Sequence, residues 1–207
     1  MLADLDQRLQ AAVQSFWDAR ARQQQKQVEA GKIDAGTRGA VTGGSQMGAL
    51  ETLLTDVLVD AGLDQSHIRA RTALELPGYY RPDRTEEAIG NAEDIWTAYR
   101  EGRFGRHQAP FLGYFFLLED CARVHAPVGV AEPYFEVDPV FKGASYAKRY
   151  EVLRERLMLE RKYSATCLTL ATKGSPTAIT SPAGTLTFRQ FAAAAEAHAR
   201  SFVNGSS

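Results

Sequence analysis

The chain has 207 residues, of which 44% are hydrophobic and 24% are charged, with a formal net charge of −1 at pH 7. This length and composition allow a full apolar core and predict a single domain over residues 1–207. The longest apolar run, residues 111–118, is too short to span a bilayer, and the first ten residues lack the apolar stretch of a signal peptide. We therefore expect a cytoplasmic protein with no membrane segment.

The first third of the chain predicts two helices around a loop. Apolar residues at helical spacing predict an amphipathic helix over about the first thirty residues. A glycine-rich loop follows at about residues 31–48, and its GTRGAVTGG sequence matches neither glycine pattern of phosphate-binding loops. A second helix is predicted from Met47 to Ala61, with Gly62 ending it, and the alternating HIRARTALEL at 67–76 predicts a strand.

The middle of the chain predicts a helix followed by a central strand. Asp83 or Thr85 can cap a helix that ends at Gly102. Its predicted buried stripe is Ala88, Ala92, Ile95, Trp96 and Tyr99. The nearly continuous apolar run FLGYFFLLEDC, residues 111–121, has the composition of a central strand that is covered on both faces.

The last third predicts a basic helix, a strand and a C-terminal helix. Residues 142–162 contain seven basic and three acidic side chains, and their apolar spacing is helical. Such a charge run is an anion-binding face or simply a solvated one. SATCLTLA at 164–171 predicts a strand, and a capping pattern opens a final helix at about 187–203. The order of elements predicts an α/β (α+β) fold with a mixed sheet.

Several stretches carry a family resemblance. LPGYYRP, RTEEAIGNAEDIWTAYREG, PFLGYFFLLEDC and FKGASYAKRYEVLRERLMLERKYSATCL resemble the XhoI family of type II restriction endonucleases. The resemblance covers about residues 16–173. It implies a fold of the PD-(D/E)-x-K nuclease class and a homodimer that cuts double-stranded DNA with Mg²⁺. The implied site is a CTCGAG-like palindrome, within a restriction-modification system.

One departure from the family concerns the catalytic segment. The resemblance implies a strand with a metal-binding aspartate and a strand with a Glu-x-Lys signature between GYYRP and RTEEAIG. Here Pro82 runs directly into Asp83-Arg84-Thr85, so a segment of a few dozen residues is missing. We therefore expect a truncated central sheet and impaired cleavage.

The residues themselves lead to the same expectation. Hydrolysis of a phosphodiester with Mg²⁺ needs at least two converging oxygen ligands and usually a lysine, and (D/E)-x-K on a strand places both on one side. The chain has one such triplet, Glu160-Arg161-Lys162, at the end of the basic helix, where the side chains would diverge. Asp83 and Glu87 are weak catalytic candidates, since a helix cap and a favourable helix dipole also explain them. No metal ligands are assigned.

Candidate DNA contacts come from the family-like segments. They are Arg81 in GYYRP and Lys142, Lys148 and Arg149 in FKGASYAKRY. Lys and Arg side chains supply the phosphate contacts that dominate DNA affinity, although each could also be a surface cation or an ion-pair partner. A palindromic target would require these residues to act in symmetric pairs.

Three hypotheses remain open at this point. The first is a type II site-specific deoxyribonuclease whose cleavage is impaired in this chain. The second is a catalytically inactive, internally deleted remnant that binds DNA. The third is an α/β domain with an unrelated structural role, against which only the family resemblance argues.

Overall fold

The computed structural model describes residues 4–29, 31, 46–70, 83–105, 108–131, 134–182 and 186–205. Within these ranges the chain forms six α-helices, three β-strands and two short 3₁₀ helices. The α-helices are α1 (Leu5–Glu29), α2 (Gly48–Asp60), α3 (Asp83–Arg100), α4 (Ala122–His125), α5 (Tyr146–Leu159) and α6 (Phe188–Gly205). The strands are β1 (Gly113–Glu119), β2 (Ala165–Ala171) and β3 (Ile179–Thr180), and the 3₁₀ helices are Gln65–His67 and Pro139–Phe141.

The three strands form one mixed sheet in the order β1-β2-β3. β1 and β2 start side by side, because the Ser164 and Ala165 N–H groups both donate to the Leu112 carbonyl, at 2.8 and 3.3 Å. The Leu112 N–H in turn donates to the Ser164 hydroxyl at 3.1 Å. The two strands therefore run parallel, and the chain between them crosses over through α4 and α5. The predicted mixed α/β fold, a small sheet flanked by helices, is confirmed.

The order of the strands in the sheet differs from the sequence prediction. The apolar run at 111–121 predicted a central strand, but β1 stands at one end of the described sheet and most of its residues are only half-buried. β2 is the central strand, and all seven of its residues are buried. Its threonines are compatible with burial because their hydroxyls find partners; Thr166, for example, donates to the Arg154 carbonyl at 3.2 Å. An apolar run indicates burial but does not fix which strand is central.

The chain divides into two compact units. The first consists of Met1–Leu76, Ala171–Ile179 and Arg189–Ser207, and the second of Pro77–Leu170 and Thr180–Phe188. The first is helical and contains α1, α2 and nearly all of α6. The second contains α3, β1, α4, α5 and most of β2. The prediction of one domain over residues 1–207 stays a prediction.

In the first unit, α1 packs along α2. Leu5, Val13 and Leu50 are fully buried between helices, as the apolar spacing of the sequence predicted. The guanidinium of Arg8 also joins the two helices, since it lies 3.2 Å from the Asp56 carboxylate and 3.5 Å from that of Asp60. These exposed ion pairs add little to the stability that apolar burial supplies.

In the second unit, two apolar clusters cover the two ends of β1 and β2. The cluster near the strand starts contains Ala88, Ala92, Leu112, Leu157 and Tyr163. The cluster near the strand ends contains Leu118, Val124, Ala147, Leu168 and Leu170. Two side-chain hydrogen bonds attach α3 to the segment before β2: Tyr163 Oη donates to the Ala88 carbonyl at 2.8 Å, and Trp96 Nε1 donates to the Lys162 carbonyl at 3.0 Å.

Two local predictions were wrong. Residues 65–67 form a 3₁₀ helix and 68–70 have no regular structure, so the strand predicted for 67–76 does not exist over its described part. The rest of it, like the glycine-rich residues 32–45, lies outside the described residues. On α3, Ile95 is 36% exposed, and Ile89 packs against the core instead. Helical geometry places Ile89 nearer than Ile95 to the middle of the face formed by Ala92 and Trp96.

None of the helices in the described part of the chain is long and apolar enough to cross a membrane.

We expect Leu168→Ala to lower the free energy of unfolding by about 2–5 kcal/mol, the usual cost of truncating a buried leucine. Leu168 is fully buried in the central strand, so its removal loses apolar contact and leaves a cavity. Urea denaturation followed by circular dichroism measures the change. Leu159→Ala is the matched control, because Leu159 is 74% exposed and its loss should change stability by less than about 0.5 kcal/mol. Equal effects of the two substitutions would contradict the position of β2 in the core.

Candidate nucleic-acid interface

The basic helix α5 begins at a well-formed cap. The Ser145 hydroxyl accepts a hydrogen bond from the Lys148 N–H at 3.2 Å, which satisfies one of the free donors of the first turn. A second cap precedes it, where the Asp138 carboxylate accepts from the Val140 N–H at 3.0 Å and starts the short 3₁₀ helix at Pro139. Sequence features of this kind, Asp-Pro and Ser before a helix, explain why the chain turns at these points.

Side chains from α5 and from its approach fix the segment between residues 134 and 145, which we call the braced loop. Arg156 donates to Asp138 at 2.6 Å, and its guanidinium carbon stands 5.1 Å from the centroid of the Phe141 ring. Within the loop, Lys142 Nζ lies 3.0 Å from Glu136 Oε1. These contacts connect both halves of the braced loop to each other and to the last turn of α5.

Two of the four predicted DNA contacts, Lys142 and Lys148, lie near the N-terminus of α5 with exposed side chains. Lys142 is ion-paired with Glu136, and Lys148 with Glu151, each at 3.0 Å. Ion pairs between solvent-exposed groups contribute only about 0–1 kcal/mol. The ammonium groups can therefore exchange a carboxylate for a phosphate at small cost.

The other two predicted DNA contacts are Arg149 and Arg81. The guanidinium of Arg149 donates to the carbonyls of Val128 and Gly129, each at 3.2 Å, and so attaches that loop to α5. Arg149 is half-buried in this position, which gives it a structural role in addition to its predicted one. Arg81 lies outside the described residues.

The weak catalytic candidates lie in the first turns of α3. The helix begins at Asp83, whose side chain is outside the described part of the structure, and Glu87 follows one turn later with an exposed side chain. Burial raises the pKa of the Tyr163 phenol, and the charges of Tyr114 and Glu87 raise it further. The same phenol donates to the Ala88 carbonyl at 2.8 Å, so the first turns of α3 lie close to the segment before β2.

The single Glu-x-Lys triplet is not on a strand. Glu160 ends α5, and Arg161 follows with a φ of 55°, a left-handed conformation that stops the helix. Lys162 points toward α3, where its Nζ lies 3.9 Å from the Glu93 carboxylate. This turn does not present Glu160 and Lys162 side by side, and the described residues contain no group of three or more His, Cys, Asp or Glu side chains that could hold a metal ion.

Sequence reasoning missed the residues that brace the loop. Asp138 carries a recognisable signal, because an aspartate before proline is a frequent helix start. Its partner Arg156, 18 residues further on, carries none, since only the fold brings the two together. Arg154 was also missed: it is 8% exposed on the inner face of α5, although arginine usually stays at the surface.

Comparison with known proteins identifies the class. The chain is 39% identical to the type II restriction enzyme BstVI of Geobacillus stearothermophilus, over 68% of this chain and 80% of that enzyme. It is 34% identical to the type II restriction enzyme XhoI of Xanthomonas vasicola, over 77% of both chains. It is 33% identical to the type II restriction enzyme AbrI of Azospirillum brasilense, over 65% of this chain and 75% of that enzyme. The class is therefore that of the type II restriction endonucleases, hydrolases that act on DNA.

The family follows from a sequence model described as restriction endonuclease XhoI, which matches residues 26–84 and 82–181. The chain belongs to the XhoI family of restriction endonucleases, as its motifs indicated. No solved structure matches it.

The alignments also show a difference in length. The BstVI alignment is 178 residues long but takes up 68% of the 207 residues here, or about 141, which leaves roughly 37 aligned positions without a counterpart. The alignments with XhoI and AbrI, 194 and 168 residues long over 77% and 65% of this chain, leave roughly 35 and 33. This chain thus lacks a few dozen residues that its relatives have.

We expect Arg156→Gln to raise the pKa of Asp138. The Val140 N–H and the Arg156 guanidinium both stabilise the carboxylate and hold its pKa below the usual 3.8, so the bracing contact is present at neutral pH and is lost as the pH falls through the lowered pKa. Without Arg156 the pKa should move part of the way back, because the Val140 N–H remains. NMR titration of the Asp138 carboxyl carbon measures it.

Arg161→Gln is the control for this titration, since Arg161 is an exposed arginine beyond the end of α5. An Asp138 midpoint that is the same in the wild type and in Arg156→Gln would show that the guanidinium does not act on this carboxylate.

Proposed function

We propose that this protein binds double-stranded DNA at a CTCGAG-like palindrome as a homodimer, in the cytoplasm, but is impaired in cleavage. Its family relationship supports DNA as the target. The missing stretch of sequence supports the loss of DNA cleavage. The protein would then be a DNA-binding, internally deleted form of a type II restriction endonuclease.

The observation that carries this proposal is the junction at Pro82-Asp83. The two parts of the family match, 26–84 and 82–181, meet there. A gap of a few dozen positions in each alignment with a relative fits a deletion at the same point. We infer that the missing stretch contains the strands with the metal-binding aspartate and the Glu-x-Lys signature.

The residues that the structure describes do not fit the Mg²⁺ site that the family relationship implies. A hydrolytic Mg²⁺ needs converging hard oxygen ligands, and the reaction usually needs a lysine beside them. Glu87 offers one carboxylate on an exposed helix face, and the Glu160–Lys162 turn directs its lysine toward Glu93. We therefore derive no hydrolytic step from this chain and assign Mg²⁺ to the complete enzymes of the family.

Binding has more support than cleavage. Lys142 and Lys148 remain exposed near the capped start of α5, where phosphate contact adds favourable charge interactions and releases counterions. The N-terminus of a helix also favours a phosphate, because its free N–H groups carry partial positive charge. In a twofold dimer, these lysines would contact both halves of a palindrome symmetrically.

Inserting the missing stretch from a relative tests the proposed loss of DNA cleavage. The purified protein should leave a plasmid with one CTCGAG site uncut in the presence of Mg²⁺. Insertion of the missing stretch from the BstVI enzyme between Pro82 and Asp83 should restore linearisation of the plasmid. The matched control is the same graft with its acidic residues replaced by alanine, which should fold but not cut.

Linearisation by the ungrafted chain that is abolished by EDTA would overturn the proposed impairment. Absence of any preference for CTCGAG over a scrambled duplex, in gel-shift competition, would overturn the proposed binding and favour an unrelated structural role.

For DNA binding, we expect Lys142→Ala/Lys148→Ala to reduce the salt dependence of the affinity. Each phosphate contact contributes about 0.9 to the slope of log K against log salt concentration, so the slope should fall by about two per protomer. Fluorescence anisotropy over a range of salt concentrations measures it. Lys26→Ala, which removes an exposed cation from α1, should leave the slope unchanged. A slope that is unchanged in the double variant would exclude these lysines as phosphate contacts.

A further inference from the structure

Two adjacent aromatic side chains in the braced loop are almost fully exposed. Tyr134 is 87% exposed and Phe135 is 85% exposed, more than the other exposed large apolar residues of the described chain, such as Leu159 at 74%. A single exposed apolar residue is common on protein surfaces. Two large apolar side chains exposed at consecutive positions are less common, and exposed apolar surface of this kind often marks a binding site.

The contacts that follow these rings hold them in place. Asp138, three residues after Phe135, is bonded both to the Val140 N–H and to Arg156. The backbone is thus fixed within a few residues of the rings. Contacts that restrict the backbone of the free loop lower the conformational entropy that the loop loses when it binds a partner.

Basic groups lie on the segment that follows the rings. The Lys142 ammonium is 3.0 Å from the carboxylate of Glu136, which directly follows Phe135. Arg156 is at a comparable distance from Asp138, 2.6 Å, and both basic side chains are nearly half exposed. Exposed aromatic rings on a loop that also carries basic side chains match the chemistry of nucleic acid, which presents flat bases beside phosphates.

We propose that Tyr134 and Phe135 form an aromatic tip that contacts the bases of the DNA by stacking or partial insertion, with Lys142 at a neighbouring phosphate. This inference rests on the proposed binding of duplex DNA and assigns part of its contact surface. Apolar side chains that insert between base steps lower the local stacking of the duplex and are compensated by the contacts that the distortion allows.

The size of the patch favours DNA over a second copy of the chain. An aromatic side chain buries about 150–250 Å², so two rings supply at most about 500 Å². A stable protein interface needs about 800 Å² on each partner. Contact with a base, in contrast, contributes from a single ring: stacking on an unpaired base is worth roughly 1–3 kcal/mol, and in a duplex the cost of unstacking the base step offsets part of it.

The test compares the wild type with Tyr134→Ser/Phe135→Ser on a CTCGAG duplex. We expect the double variant to bind at least about tenfold more weakly, in line with the loss of one or two stacked rings. The slope of log K against log salt should stay the same, because the rings carry no charge. With 2-aminopurine placed in turn at adenines in and beside the site, binding of the wild type should raise fluorescence at one position, and the double variant should not.

Two further variants serve as controls. Tyr134→Phe/Phe135→Tyr keeps both rings and should keep the affinity and the fluorescence change. Leu159→Gln removes another exposed apolar side chain from the same unit and should have no effect.

Three other outcomes would overturn the inference, and each identifies a different cause. If the wild type does not bind duplex DNA, the proposed function fails and the aromatic tip fails with it. If the wild type binds and the double variant binds equally well, the aromatic tip alone is wrong. If the double variant is instead monomeric in sedimentation where the wild type is dimeric, the partner of the rings is a second copy of the chain.

Discussion

The second unit depends on the hydrogen bonds that join the starts of β1 and β2 and attach α3 beside them. The Leu112 carbonyl accepts hydrogen bonds from the Ser164 and Ala165 N–H groups. The hydroxyl of Tyr163, the residue before Ser164, donates to the Ala88 carbonyl of α3. Burial raises the pKa of this phenol, so it stays protonated and remains a donor throughout the physiological pH range. One short segment thereby sets the direction of both strands and the position of the helix.

The described core of the second unit lies on one side of the point at which the two parts of the family match meet. Both apolar clusters of the second unit are built from residues on one side of the junction at 82–84, from Ala88 to Leu170. No described residue of these clusters precedes the junction. The half-buried side chains of β1, at the end of the described sheet, are less covered than the sequence predicted.

The basic helix shows why local charge is a weak guide to binding. Of its cations, Arg149 donates to backbone carbonyls, Arg156 braces a loop and Arg154 is buried, so the run of positive charge is not a uniform face. The two exposed lysines near its start have partners that a phosphate can replace. In our proposal, affinity then comes from few lysines and from a rigid loop with two aromatic rings, and it does not require the residues that perform hydrolysis.

The sequence by itself determined the family, the mixed α/β class, the junction at Pro82-Asp83 and most helix positions. These features depend on local order along the chain: motif identity, apolar periodicity, and residues such as Gly62 and Gly102 that end helices. Only the tertiary structure decided that β2 is the central strand, that Ile89 replaces Ile95 in the core, and that Arg156 meets Asp138. The reason is that these outcomes depend on which elements pack together, and residues far apart in sequence carry no local signal of their contact.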